Sequence, residues 1–204
     1  MHIAITGNIG AGKTTLAQLL ATHYGWDVLY EAVEGNPYLA DFYGDMARWS
    51  FNLQIYFLNS RFEQVQKIRQ SGRSVVQDRT IYEDAYIFAQ NLYDAGNMTP
   101  RDYQTYRKLF DSMVGLVRPP DLMIYLRADL PKLTSQIKKR GRDFEQDIST
   151  DYLQSLNGLY EEFAQAYSVG DLLVIDVNNL DYASRPDDLQ LVIAQINKHL
   201  AMKA

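Results

Sequence analysis

The sequence predicts an α/β fold: a parallel five-stranded sheet flanked by helices on both faces. Three observations predict it. Short apolar or β-branched runs alternate with longer segments of helical periodicity, the composition shows no break along 204 residues, and the first run leads straight into a glycine-rich turn followed by a helix pattern. Strands joined by helices cannot form hairpins, so their sheet is parallel and covered on both sides.

The strand readings fall at 2–6, 28–30, 74–77, 122–126 and 172–176. Helical patterns fill 14–24, 48–70, 82–93, 100–117, 130–139, 151–167 and 186–199, each with apolar residues three or four apart. Gly96-Asn97, Pro119-Pro120 and Ser184-Arg185-Pro186 punctuate these elements. No repeat, low-complexity tract or linker interrupts them, so residues 1–204 read as one domain.

Composition narrows the function. Twenty Lys and Arg against 25 Asp and Glu give a net charge of -5, which argues against nucleic acid as the main partner. The chain has no cysteine, which excludes thiol catalysis, zinc-thiolate sites and disulfides. No apolar run approaches the roughly 18 residues a membrane span needs. The strand pattern begins at His2, leaving no room before it for a secretion signal, and the expected location is the cytoplasm.

Gly7-Asn8-Ile9-Gly10-Ala11-Gly12-Lys13-Thr14 fits G-x-x-x-x-G-K-[ST], with a strand before it and a helix after it. This is the phosphate loop of P-loop NTPases. Its glycines let consecutive N–H groups of Gly7, Asn8, Gly10, Ala11 and Gly12 turn toward phosphate oxygens at the positive end of the following helix, where Thr15 also sits. Lys13 is expected to reach the β and γ phosphates of ATP, and the Thr14 hydroxyl to ligate Mg²⁺. An accidental match arises in about one chain in a hundred of this length. The strand and helix context lowers that figure further.

The third strand runs into Asp78-Arg79, which places a carboxylate and a guanidinium at the carboxyl edge of the sheet, where ligands of open α/β sheets bind. Asp78 is expected on the metal side, and Arg79 on the acceptor oxygen or the transferring phosphoryl group. A surface ion pair capping the next helix is the alternative, and position after a strand favours the ligand. Glu31 follows the second strand on the same edge; it reads either as a base for an attacking hydroxyl or as a solvated side chain. Gln54 and Arg61 lie seven residues apart, on one face of a helix. Gln can pair bidentately with a base edge, but spacing alone favours two solvated polar residues. Lys138-Lys139-Arg140-Gly141-Arg142 reads equally as a flap over phosphates or as a cation-stabilised helix end.

Taken together, GNIGAGKTT, YEAVEGNPYL, YGDMARWSFNLQIYFLNSR, QDRTIYEDAYIFAQNLY, KKRGRDFEQ and IDVN resemble the deoxynucleoside kinase family nearly end to end. That resemblance implies a nucleoside-monophosphate-kinase-like sheet with a lid, here about 138–147, and a homodimer built on long helices. The implied activity is transfer of the γ-phosphoryl of ATP to the 5′-hydroxyl of a deoxynucleoside. It implies Glu31 as general base, in a motif that usually reads Glu-Pro-Val and here reads Glu31-Ala32-Val33, and Arg79 beside it. Asp78 stands where most relatives carry Glu. Tyr43 and Glu145 match the pair on the deoxyribose 3′-hydroxyl; Gln54, Arg61 and Asp84 match residues that read the base, and Phe88 the one stacked on it. Arg140 and Arg142 match lid arginines, and a further lid arginine of many relatives falls on Gln136, leaving Lys138 or Lys139 to stand in. Purine deoxynucleosides, deoxyadenosine first, are the expected acceptors.

Two other classes compete. A nucleoside monophosphate kinase would need an extra cationic clamp for an acceptor phosphate, whereas Glu31, Tyr43, Gln54 and Glu145 suit a neutral sugar. A P-loop module without turnover is the other. A switch GTPase would need Asn-Lys-x-Asp after a late strand, and the chain has none; Asp41-Phe42-Tyr43-Gly44 resembles a switch motif but follows no strand.

Overall fold

The structure, a computed structural model, describes residues 1–30, 35–142 and 148–202. Five parallel strands, β1 (His2–Thr6), β2 (Asp27–Leu29), β3 (Val75–Asp78), β4 (Leu122–Arg127) and β5 (Leu172–Asp176), pair in the order β2-β3-β1-β4-β5. The α/β expectation therefore holds. β1 lies at the centre, and its connection leads toward β2 while that of β3 leads across to β4. The carboxyl ends of β1 and β3 thus flank the switch point where such sheets hold ligands.

Helices are α1 (Lys13–Tyr24), α2 (Leu39–Gly44), α3 (Met46–Ser71), α4 (Ile81–Glu83), α5 (Gln90–Asp94), α6 (Pro100–Val114), α7 (Leu130–Arg140), α8 (Thr150–Ala166) and α9 (Pro186–Ala201). Local chemistry sets several starts. Asp45, Thr99 and Ser149 each accept a hydrogen bond from a first-turn N–H of α3, α6 and α8, and α6, α7 and α9 carry proline in the first turn.

The sheet separates two apolar layers by the two-residue alternation of its strands. Ile3, Ile5, Leu122, Ile124 and Leu126 pack with Leu16 and Leu20 of α1 and Val192 and Ile196 of α9. Met123 and Tyr125 face the opposite layer with Leu58 of α3, Ile87, Phe110 of α6 and Tyr160 of α8.

Element ends shift by one to three residues in several places, β3 spanning 75–78 rather than 74–77 and α6 ending at 114 rather than 117, and three differences bear on the site. β2 spans 27–29 rather than 28–30, because only Asp27, Val28 and Leu29 find partners on β3. The short α2 was not foreseen. The helix expected over 82–93 is instead α4, a π-helical segment Asp84–Ala89, and α5 in succession. Such i to i+5 segments appear mostly inside helices at functional sites, and this one carries Asp84 and Phe88.

Candidate functional site

The phosphate loop joins β1 to α1. Gly7, Gly10 and Gly12 all have positive φ, and all three are needed for space as well, a Cβ at Gly7 lying 2.9 Å from the Leu126 carbonyl oxygen. A Cβ at Gly10 would lie 2.7 Å from the Leu133 carbonyl oxygen, and one at Gly12 would run into the Tyr182 hydroxyl. That hydroxyl donates toward the carbonyls of Ala11 and Gly12, at 3.2 and 3.1 Å, and braces the loop from outside. Gly12 caps α1 without any side chain, and the first turn has no acidic residue, so the positive helix end is left for an anion.

Asn8, expected to offer its backbone N–H, uses its side chain elsewhere. Its Nδ2 donates to Leu153 O at 2.9 Å and to Asn157 Oδ1 at 2.6 Å, and its Oδ1 accepts from Ile9 N–H at 2.8 Å. The side chain ties the loop to α8, so its contribution to phosphate binding is left to the backbone. Lys13, almost wholly buried, directs its ammonium to the Asn8 carbonyl at 2.9 Å.

The sheet register explains the metal-side pair. Asp78 lies opposite Ile5 on β1, one residue before the strand ends, so its carboxylate sits under the start of α1. The Thr14 hydroxyl donates to Asp78 Oδ2 at 2.5 Å, while the buried Oδ1 has no hydrogen-bond partner among the described residues. Oxygen donors with a spare acceptor suit a small hard cation, and Mg²⁺ uses only one or two protein oxygens alongside phosphates.

Arg79 follows with φ of 73°, the one non-glycine residue among those described with positive φ. That conformation costs about 1–3 kcal/mol and collects at functional sites. Its N–H bonds to Ile5 O at 2.9 Å, and its guanidinium lies 4.4 Å over the Phe88 ring. One face of Phe88 therefore belongs to Arg79.

A cleft of about 680 Å³ brings Lys13, Thr14, Thr15, Tyr43, Gln54, Asp78, Arg79, Asp84, Phe88, Arg140 and Arg142 together. Four cations against two carboxylates in this set make it a fit for a polyanion. Arg140 ends α7 and Gly141 turns the chain with φ of 69°, so Arg142 also reaches the cleft. Glu31, Glu145 and the 143–147 part of the expected lid lie outside the described residues.

Arg61 departs from expectation. It is fully buried and is not among the cleft-lining residues; its Nε stands 3.7 Å from Oδ2 of Asp84, which does line the cleft. Gln54 does reach the cleft, and its buried Oε1 has no partner among the described residues.

Apolar and aromatic side chains complete the lining, and of those named here only Tyr152 lies outside the sequence motifs. Ile9, Leu39, Phe42, Leu53, Phe57 and Tyr152 supply the apolar walls. Burial pushes the Tyr152 hydroxyl up to about 12, against the opposing charge of Arg79, so it stays protonated. Glu83 is another buried group close to these charges. Thr80 N–H donates to its Oε2 at 2.9 Å and Tyr160 OH to its Oε1 at 2.8 Å. Burial raises its pKa, opposed by Arg79, Lys13 and both hydrogen bonds. Thr80 and Glu83 form a capping box, a three-residue spacing visible in the sequence.

The deoxynucleoside kinase family profile matches residues 3–201. A deoxyadenosine kinase of Dictyostelium discoideum is 45% identical over 194 residues, covering 95% of this chain and 78% of the relative. A deoxyadenosine/deoxycytidine kinase of Bacillus subtilis (strain 168) is 38% identical over 198 residues, covering 95% and 90%. The structure of deoxyadenosine kinase from M. mycoides with products dCMP and a flexible dCDP bound matches with a TM-score of 0.87 at 34% identity, covering 97% of this chain and all of that one. The chain belongs to the deoxynucleoside kinase family.

Proposed function

We propose that this member of the deoxynucleoside kinase family, an ATP-dependent enzyme, phosphorylates the 5′-hydroxyl of purine deoxynucleosides, deoxyadenosine before deoxyguanosine. The observation that carries the acceptor reading is the Gln54 carbonyl oxygen, buried on the cleft wall without a donor among the described residues. A buried acceptor left unpaired costs about 1–3 kcal/mol, so a ligand that brings an exocyclic amine is favoured there. Adenine N6 and cytosine N4 both qualify, and thymine has none. Asp84, held by Arg61, stands further along the same wall where the second ring of a purine would lie. Deoxyadenosine is also what the Dictyostelium discoideum relative and the M. mycoides structure are named for.

Phosphoryl transfer needs positioning and charge stabilisation more than covalent chemistry. Lys13, Arg79, Arg140 and Arg142 supply cations to the triphosphate, and Thr14 and Asp78 are the residues that would hold Mg²⁺. When bound, that ion neutralises charge on the β and γ phosphates. Glu31 is the proposed base that takes the 5′-hydroxyl proton, with Arg79 holding the same oxygen. Tyr43 and Glu145 are proposed to grip the 3′-hydroxyl, which leaves little room for a 2′-hydroxyl and favours deoxyribose.

The chain is proposed to act in the cytoplasm as one catalytic unit, residues 1–204, with 138–147 as its lid. No helix among the described residues is long and apolar enough to cross a membrane. It is further proposed to pair with a second copy through the groove between Tyr82, Tyr86, Leu159, Phe163, Tyr167 and Val169, where Tyr86 and Val169 are exposed. Light scattering should report twice 23.4 kDa.

Competition among the four deoxynucleosides at one concentration, with ATP and Mg²⁺, tests the acceptor reading. Deoxyadenosine should lead and adenosine should be poor; thymidine as the preferred acceptor would overturn it. Monophosphates offered in parallel separate this activity from a nucleoside monophosphate kinase, and absence of ADP release with every acceptor would leave only a binding module.

A further inference from the structure

Gln64, on α3 one turn beyond Arg61, is assigned no part by the activity described above. Its amide nonetheless joins three elements around the site. The Nε2 donates to the carbonyl of Tyr30 at 2.7 Å, and the Oε1 accepts from Gln77 Nε2 at 3.2 Å and from Arg61 Nη1 at 3.4 Å. Gln77, in turn, places its Oε1 2.9 Å from His2 Nε2. An amide oxygen can only accept, so His2 donates, and each amide then accepts on one side and donates on the other. The polarity of the chain from His2 through Gln77 and Gln64 to Tyr30 is thereby set at every link.

The downstream end matters most. Tyr30 lies just past β2, where no strand partner on β3 holds the backbone, and its side chain lines the cleft. The next residue in the chain is Glu31. Arg61, the other group held by Gln64, is the ion-pair partner of Asp84 at the wall of the base pocket.

We propose that Gln64 is a positioning residue of the phosphoryl transfer, fixing the backbone that leads into Glu31 against the Arg61–Asp84 pair of the base pocket. The proposal rests on the reading of Glu31 as the base. Among the described residues Gln64 bonds to Tyr30, Gln77 and Arg61, so it acts through the Tyr30 backbone and through Arg61, where a misplacement of about 1 Å can cost on the order of a hundredfold in rate.

Two variants separate its arms. Gln64→Glu keeps oxygen acceptors for Gln77 and Arg61 but cannot donate to Tyr30, whereas Gln64→Met removes every hydrogen bond at similar size. With deoxyadenosine, Gln64→Glu should lower kcat on the order of tenfold and leave the nucleoside KM within about twofold. Gln64→Met should lower kcat alike and raise KM several-fold. The same substitutions made in Glu31→Gln and read by single-turnover rates should have little further effect, since contacts acting through one group are not additive. Wild-type kcat in Gln64→Glu would overturn the proposal. If Glu31→Gln is slow and Gln64→Glu slows it further by the same factor, the role of Gln64 falls while the base stands; if Glu31→Gln is fully active, the base assignment falls and carries this role with it.

Discussion

Gly10 offers the sharpest test of the phosphate loop, because a second glycine supplies its own control. Gly10→Ala meets two penalties: φ is 85°, and the new Cβ would lie 2.7 Å from Leu133 O and 3.0 Å from Ile137 Cγ1. Gly25, the cap of α1, also has positive φ, at 67°, but nothing lies within 4 Å of its would-be Cβ. The left-handed backbone alone costs about 1–2 kcal/mol. Overlap with α7 backbone adds roughly 1–3 kcal/mol, since a carbonyl cannot swing aside as a flexible side chain can. In a chain of this size each kcal/mol lowers Tm by about 2–4 °C. Gly25→Ala should therefore lose about 2–8 °C, and Gly10→Ala about 4–20 °C, by those same slopes. Differential scanning fluorimetry reads both, with and without saturating ATP and Mg²⁺. Gly25→Ala should keep the full ATP-induced rise in Tm, whereas Gly10→Ala should lose most of it, because the loop must open to relieve the clash. Equal behaviour of the two variants in both measurements would refute the close packing of loop against α7.

Three further outcomes are expected. Glu31→Gln should reduce kcat by about 10²–10⁴ with nucleoside binding largely kept, as loss of a general base does; retention of more than about a tenth of the activity would require another base. Lys13→Ala should abolish the ATP-induced rise in Tm while leaving nucleoside binding intact, and undiminished protection by ATP would remove the phosphate-loop assignment. His2 bears on stability against pH. Burial is the main reason its pKa lies below 6.5, with a smaller push from the N-terminal ammonium, and the Gln77 bond and Asp121 oppose both. Folded His2 thus stays neutral where the unfolded chain begins to take a proton. Its stabilising share is complete above about pH 6.5, is lost as pH falls toward the lowered folded value, and changes no further below it. Thermal melts from pH 8 to 5 should show a shallower decline in His2→Gln than in the wild type, and matching slopes would show that this imidazole is not linked to folding.

What the sequence made legible divides along a physical line. The phosphate loop is local: its glycines, Lys13 and Thr14 are consecutive, and their strand and helix neighbours are read from the same short stretch. Asp78 and Arg79 were placed by a rule about strand ends that needs only the sheet to be parallel. The five strands and most helices followed from periodicity, which reports direction around an axis. It does not report depth, and Gln54 with Arg61 shows the difference. Two turns apart, they do share a face of α3, and both are buried. Yet about 10 Å of helix rise separates them, so Gln54 opens on the cleft while Arg61 passes beneath Asp84. The same limit hid the π-helical segment, since one turn of apolar residues fits i+4 and i+5 alike, and it hid Tyr182, which braces Gly12 from 170 residues away. The short β2 has a related cause. Tyr30 is β-favouring, and the sequence extended the strand through it, but its carbonyl is held by a glutamine side chain from α3 instead of a strand partner. At Tyr30 the backbone leaves the sheet, and the residue that follows is Glu31, the proposed base.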